Sequence, residues 1–197
     1  MSTLKSILQG ENRLDDKYIP NFEDLKNIVQ QLKEGGWRIA LTQGVWDMFH
    51  VGHGRYLAEA RSYGDILIVG VDSDELTRKM KGPKRPFDIF EERIEVLSML
   101  SSVNVITRRD TDQDKYDLIK LVRPDVLIMS KTTSSFTDQD KKELSAFCGE
   151  IKHLEAKAAT STTAKTLRLM SDGVEGLPEK IQKTINDHLK EIGVKNE

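Results

Sequence analysis

Two histidines three residues apart, His50 and His53, lie in the stretch Gly44-Val45-Trp46-Asp47-Met48-Phe49-His50-Val51-Gly52-His53-Gly54. At that spacing, two imidazoles can converge on one phosphate chain and donate hydrogen bonds to oxygens that gain charge during phosphoryl transfer. Gly44 lets the backbone approach a ligand closely. Gly52 and Gly54 leave a helix start uncovered, so free N–H groups and the helix dipole can face an anion. Two other roles are open to such a pair. The histidines can be solvated or capping residues at a turn, or metal ligands, although the segment holds neither a third histidine nor a cysteine. Asp47 either orients a histidine or backbone groups, or caps the turn.

Three further groups carry charge or hydroxyls in a useful pattern. Arg78 to Arg85 reads RKMKGPKR, the one dense basic run, and its Gly82-Pro83 predicts a loop. Ser161, Thr162 and Thr163 can cap a helix and donate hydroxyl and backbone N–H bonds to phosphate. Asp72 and Asp74 follow an apolar run, where they either bind nucleotide hydroxyls or end a strand. His153, His188 and Cys148 belong to no such constellation.

These residues need a scaffold, and the apolar pattern supplies one. Residues 38–42, 66–71, 103–106, 126–129 and 151–154 are short and rich in branched side chains, as strands buried on both faces are. Helical patterns lie between them, near 52–62, 90–100, 115–121 and 137–147, the last with Thr137 or Asp138 as N-cap. Alternating strands and helices predict a parallel five-stranded sheet covered on both faces. Ligands bind at the carboxyl ends of such strands, where Gly44 begins the histidine segment. Before the first strand, Phe22, Leu25, Ile28, Val29 and Leu32 recur at helical spacing until Gly35-Gly36 ends the pattern. After Gly173, Pro178 opens another amphipathic segment containing Ile181, Ile185 and Leu189. The expected organisation is a helical extension over 1–36, a catalytic domain over 37–171 and a helical extension over 172–197.

The order strand, glycine, H-x-G-H, helix resembles the signature of the cytidylyltransferase-like nucleotidyltransferases, G-[ST]-F-D-x-x-H-x-G-H. Gly44, Asp47, His50, Gly52 and His53 match it, while Val45 and Trp46 occupy the positions of its small or polar residue and its aromatic. Tyr56 to Glu75 is similar to the family's following helix and second strand, including A-x-x-x-G-D-x-L-x-V-x-V. Lys81-Gly82-Pro83-Lys84-Arg85-Pro86, followed by Glu92-Arg93, is similar to the K-G-x-x-R-P…R segment of adenylyltransferases acting on heptose phosphate. Ser161-Thr162-Thr163 matches an S-T-[TS] segment. The likeness runs from about Arg38 to Met170.

The resemblance implies a Rossmann-like α/β fold and transfer of a nucleoside monophosphate from a nucleoside triphosphate to a phosphorylated acceptor, with Mg²⁺ shielding the triphosphate. ATP and a sugar phosphate such as heptose 1-phosphate are favoured by the K-G-P-x-R-P segment. CTP with glycerol, ethanolamine or choline phosphate is the alternative. It also implies the site: His50, His53, Lys81 and Arg93 for catalysis; Gly44, Val45, Trp46, Asp47, Gly52, Lys79, Ser161, Thr162 and Thr163 for nucleotide and phosphates; Asp72, Arg85 and Lys131 for the acceptor. Lys79, Lys81, Lys84 and Arg85 would neutralise phosphates from a mobile loop. Arg93 would project from the next helix, or else form a surface ion pair with a nearby glutamate. The chain departs from the family after the fourth strand, where Ser130-Lys131 replaces an acidic-aromatic pair. A nucleotide-binding regulatory protein that has lost turnover is therefore the non-enzymatic alternative. Homodimers are common in the family, and a homodimer is expected here.

Composition narrows the classes. In 197 residues, 30 Lys+Arg oppose 32 Asp+Glu for a net charge of −2, so no global field favours nucleic acid or an anionic membrane. Aminoacyl-tRNA chemistry, which also uses an H-x-G-H signature, is disfavoured by this balance and by the chain's length. An apolar share of 38% with 31% charged residues describes a globular protein. One cysteine excludes an intrachain disulfide and suits a reducing compartment. With no signal-peptide pattern and no run of about 18 apolar residues, a cytoplasmic protein without nucleic-acid or membrane partners is expected.

Overall fold

Strands buried on both faces need apolar side chains at consecutive positions, and the five runs of branched residues form the five strands of a parallel sheet. The computed structural model describes residues 4–10, 12–130 and 142–155, with scattered positions from 179 to 187. Two units are present, Met1–Ala159 and Thr160–Glu197. In the second, Glu179, Ile181, Lys183, Thr184 and Asp187 are helical and exposed. Among the described residues, no helix is long and apolar enough to cross a membrane.

The first unit runs α1 (Leu4–Gln9), α2 (Leu14–Lys17), α3 (Phe22–Glu34), β1 (Ile39–Gly44), α4 (Val51–Arg61), β2 (Ile66–Asp72), α5 (Asp74–Lys81), α6 (Phe90–Ser98), β3 (Val105–Arg109), α7 (Asp117–Val122), β4 (Val126–Ser130) and β5 (Glu150–Leu154). The sheet order is β3-β2-β1-β4-β5. This is the Rossmann-like α/β arrangement, with the chain reversing direction across the sheet between β1 and β4. Six residue pairs join β1 to β2, but only Ala40 with Val126 and Leu41 with Leu127 join β1 to β4. The ladder between β1 and β4 therefore ends at Leu41, and Thr42–Gly44 pair with β2 alone.

Alternate strand residues feed two cores. Ile39, Leu41, Ile66, Ile68, Val105, Leu127 and Met129 face α1, α3 and α7 through Ile7, Leu25, Val29, Leu32, Leu118, Ile119 and Val122. Ala40, Leu67, Val69, Val71, Ile106, Val126 and Ile128 face α4 and α6 through Tyr56, Leu57, Ala60, Phe90, Ile94 and Leu97. Each fully buried leucine or isoleucine contributes about 1.5–3 kcal/mol. The two cores thus fix the sheet between its helix layers.

The start of β1 is held by two carboxylates. Asp65 Oδ2 accepts the Arg38 N–H at 2.9 Å, and Asp125 Oδ2 accepts that of Ile39 at 2.7 Å. Gly64 is obligatory beside them, since a Cβ there would lie 2.8 Å from the Arg38 carbonyl oxygen and 2.9 Å from the Ala40 nitrogen. At the β3 edge, Tyr18 bridges Ile106 in parallel, and the Ile19 N–H bonds to the Ile106 carbonyl at 2.8 Å. The N-terminal segment is tied down further by Lys17, a nearly buried residue whose Nζ donates to the Leu100 carbonyl at 2.7 Å and to Asn12 Oδ1 at 2.8 Å.

The basic run departs from its expected loop. Lys79 and Lys81 lie on α5, which starts at Ser73, whose Oγ accepts the Leu76 N–H, and ends at Gly82 with φ 94°. Asp74 and Glu75 in the first turn and Arg78, Lys79 and Lys81 in the last complement the helix dipole, which overrides the turn signal until Gly82-Pro83. Only Lys84 and Arg85 are in the loop. Of the helix expected over 137–147, residues 142–147 are described; 142–144 are helical and 145–147 form a turn. Its proposed caps, Thr137 and Asp138, lie outside the described residues.

Candidate active site

The segment between β1 and α4 carries the histidines and is conformationally demanding. Trp46 and Met48 have φ of 61° and 48°, left-handed values that cost a non-glycine residue about 1–3 kcal/mol each. Packing and hydrogen bonds hold them there. Trp46 is buried, with its indole Nε1–H donating to the Gly70 carbonyl at 3.3 Å and its ring centroid 5.9 Å from Tyr56 and 5.7 Å from His53. Val45 is buried too. The side chains assigned to nucleotide at these two positions serve instead as the floor of the loop.

His50 is the N-cap of α4. Its Nδ1 accepts the Gly52 N–H at 3.0 Å, so in the neutral ring the proton sits on Nε2. Its carbonyl accepts from the His53 and Gly54 N–H groups at 2.9 and 3.2 Å. The helix start was expected to offer these N–H groups to an anion. Those of Gly52, His53 and Gly54 are occupied by His50, the first by its imidazole and the other two by its carbonyl. The two rings stack with centroids 4.0 Å apart and planes 20° from parallel. Beneath α4, Tyr56 shares a buried hydrogen bond of 3.1 Å with Thr42, and burial pushes its phenol up to about 12.

Asp47 binds the loop that follows α5. One carboxylate oxygen accepts the Phe87 and Asp88 N–H groups at 2.9 and 3.0 Å, and the other accepts from Arg85 Nη1 at 2.8 Å. Asp88 returns the bond, with Oδ2 accepting the Met48 N–H at 2.6 Å. Arg85 also lies over the Phe87 ring, 4.4 Å from its centroid. The guanidinium assigned to an acceptor is thus engaged with Asp47.

Arg93 does not project from its helix, nor does it form a surface ion pair with a glutamate. Its side chain is fully buried, with Nε donating to the Asp88 carbonyl at 3.1 Å, Nη1 to the Val45 carbonyl and Nη2 to Asp74 Oδ1 at 2.7 Å. A buried guanidinium needs several acceptors, and these come from three segments of chain. Arg93 braces the site from below.

Asp72 is buried against Arg109, with an Nη1 to Oδ1 separation of 2.6 Å. Burial holds its carboxyl above the usual value, opposed by the charges of Arg109, Lys81 and Arg93. It is closed off from an acceptor by its own partner. Lys79, Lys81 and Lys84 are exposed and form no ion pair with a described residue, so these three ammonium groups are available to phosphates. Lys131, Ser161, Thr162 and Thr163 lie outside the described residues.

The sequence reading passed over Asp88, Arg109 and the Thr42–Tyr56 pair. Asp88 had one local signal, a carboxylate just before a helix and two residues after Pro86, but its partner is 40 residues away. Among the described residues, no three His, Cys, Asp or Glu side chains converge as a metal site. Both Asp47 oxygens are bonded to protein donors.

Known proteins are similar to this chain in sequence and fold. The bifunctional protein HldE of Sulfurimonas denitrificans is 35% identical over 159 residues, covering 80% of this chain and 32% of that protein. The bifunctional protein HldE of Yersinia pestis is 36% identical over 141 residues, covering 72% of this chain and 29% of that protein. The chain spans about a third of the length of these curated relatives. A lipopolysaccharide core biosynthesis protein from Thermoplasma volcanium superposes with TM-score 0.54 at 25% identity, covering 62% of this chain and 100% of that one. Pantothenate synthetase from Thermus thermophilus shares the fold at TM-score 0.53 and 12% identity, covering 71% of this chain and 61% of that one. The sequence model of the cytidylyltransferase-like family matches residues 41–175, and with the paired histidines at the first strand's end this places the chain in that family of nucleotidyltransferases.

Proposed function

We propose that this nucleotidyltransferase joins the nucleoside monophosphate of ATP to a phosphorylated sugar of the heptose 1-phosphate type and releases pyrophosphate. The observation that carries the reading is the stacked His50–His53 pair at the carboxyl end of β1, beside a K-G-P-K-R-P segment bonded to the same loop. That segment is the one resembling heptose-phosphate adenylyltransferases, and the HldE relatives extend the likeness over 80% of the chain in one case.

In the reaction, an acceptor phosphate oxygen attacks the α-phosphorus and the bond to the β-phosphate's bridging oxygen breaks. Pyrophosphate carries that electron pair away. His50, with its proton on Nε2, donates to phosphate oxygens as charge builds, and His53 stacks beside it as the second donor. Lys79, Lys81 and Lys84 neutralise the triphosphate from α5 and the loop after it. The chain holds the reactants in line and needs no covalent intermediate. Mg²⁺ bound with the triphosphate would shield its charge. Working as a homodimer is part of the proposal and rests on the family resemblance.

The test is incubation with Mg²⁺, each of four nucleoside triphosphates and a panel of phosphorylated sugars and alcohols, with pyrophosphate as the readout. Release with ATP and a sugar 1-phosphate is expected. Release only with CTP and an alcohol phosphate would replace the proposed substrates, and no release with any pair would favour a nucleotide-binding regulator.

A further inference from the structure

The loop bearing His50 has an unusual support. Two aspartates on separate segments each bind the other segment's backbone: Asp47 accepts the N–H groups of Phe87 and Asp88, and Asp88 accepts that of Met48. Arg93 closes the arrangement by binding the Asp88 and Val45 carbonyls together. Met48 is one of the two left-handed residues in the loop and lies two residues before His50. A left-handed methionine relaxes unless its neighbours hold it, and at 2.6 Å the Asp88 bond is short, as bonds to a charged acceptor are.

We propose that Asp88 is a positioning residue for the histidine pair: by accepting the Met48 N–H it fixes the loop conformation in which His50 both caps α4 and stacks on His53. This rests on the nucleotidyltransferase reading for its consequence in turnover, but not for its structural content. The requirement is for an acceptor at this place, with the negative charge secondary. Asp88→Asn keeps a carbonyl oxygen at the same reach, whereas Asp88→Ala removes it. Asp47 and Arg93 remain in both variants and continue to hold the two segments together.

Two measurements separate the claim from a general loss of stability. The first is the imidazole Hε1 resonances of His50 and His53, which ring stacking displaces and which require no substrate. Asp88→Ala should lose that displacement with the rest of the spectrum unchanged, and Asp88→Asn should retain it. The second is steady-state kinetics, where Asp88→Ala should lower kcat by about 10- to 100-fold, the scale of a small misplacement of reacting groups, with a smaller change in KM. Asp88→Asn should stay within a few-fold of the unaltered protein.

Altered histidine resonances in Asp88→Asn, or unaltered ones in Asp88→Ala, would overturn the proposal. If Asp88→Ala does not fold, Asp88→Asn decides by the same resonances. Should the unaltered protein show no turnover while the resonances behave as expected, the functional reading fails and the positioning role stands.

Discussion

The carboxyl ends of β1 and β2 lie side by side in one sheet, yet they treat charge in opposite ways. At the end of β2, and at that of β3 next to it, the polar groups satisfy one another. Arg109 binds Asp72, Ser73 donates to Asp110 at 2.9 Å, and Arg108 binds Asp110 at 2.6 Å. At the end of β1 the backbone adopts two left-handed residues, and its carboxylate reaches away to residues 85–88. Asp47 and Asp72 are both buried, at 7% and 2% exposure, so burial alone does not tell a sealed edge from a working one. The difference lies in what the partners do next. Those of Asp72 end at neighbouring strands, while those of Asp47 lead back to the loop carrying His50.

Breaking the β1 side should affect chemistry far more than folding. His50→Ala and His53→Ala are each expected to reduce turnover by about 10²- to 10⁴-fold while circular dichroism stays unchanged, the range for losing a positioned donor or acid-base group. Two folded variants with unaltered turnover would remove the pair from the mechanism.

The β2 side should respond in stability. Arg109→Leu strands the Asp72 carboxylate in the interior, a change that typically costs about 3–5 kcal/mol. Thermal denaturation should show a large drop, partly recovered when Asp72→Asn is added, because the second change removes the uncompensated charge. A drop no greater than that of an exposed arginine substitution would show that the pair is solvated and the contrast unfounded.

A smaller test lies under α4. Tyr56→Phe removes a buried hydroxyl from Thr42 and should cost about 1 kcal/mol at neutral pH. With the phenol at about 12 in the folded chain against an ordinary value of 10.0, the unfolded chain loses its proton first. Stability should therefore fall as pH rises from about 10 through 12. Denaturant titrations across that range should show the fall in the unaltered protein and a shallower one in Tyr56→Phe.

Legibility followed the range of the interaction. The strands were readable because Ile66–Val71 and Val126–Met129 meet apolar neighbours on both faces, leaving an uninterrupted run. The histidine segment was readable because its spacing is local. For α5 the local signals conflict: Ser73, Asp74 and Glu75 mark a helix start, Gly82-Pro83 marks a loop, and the helix prevails as far as Lys81. Arg93 was misplaced because its partners, Val45 and Asp74, are 48 and 19 residues distant. No pattern within its own helix announces that a guanidinium will be enclosed. Asp65 was likewise readable as part of a motif, but the task it shares with Asp125, holding the start of β1, appears only when three segments meet.

The two-pair ladder between β1 and β4 has a consequence for solvent exchange. A strand bonded on both sides protects its amides to the limit of global opening, whereas one bonded on a single side exchanges through smaller, local openings. Ala40 and Leu41 belong to the first kind and Thr42–Gly44, paired to β2 alone, to the second. The same strand is thus slower to exchange deuterium at Ala40 and Leu41 than at its end. A nucleotide seated beside Thr42–Gly44 would take the place of the missing neighbour and slow exchange there, leaving Ala40 and Leu41 as they were.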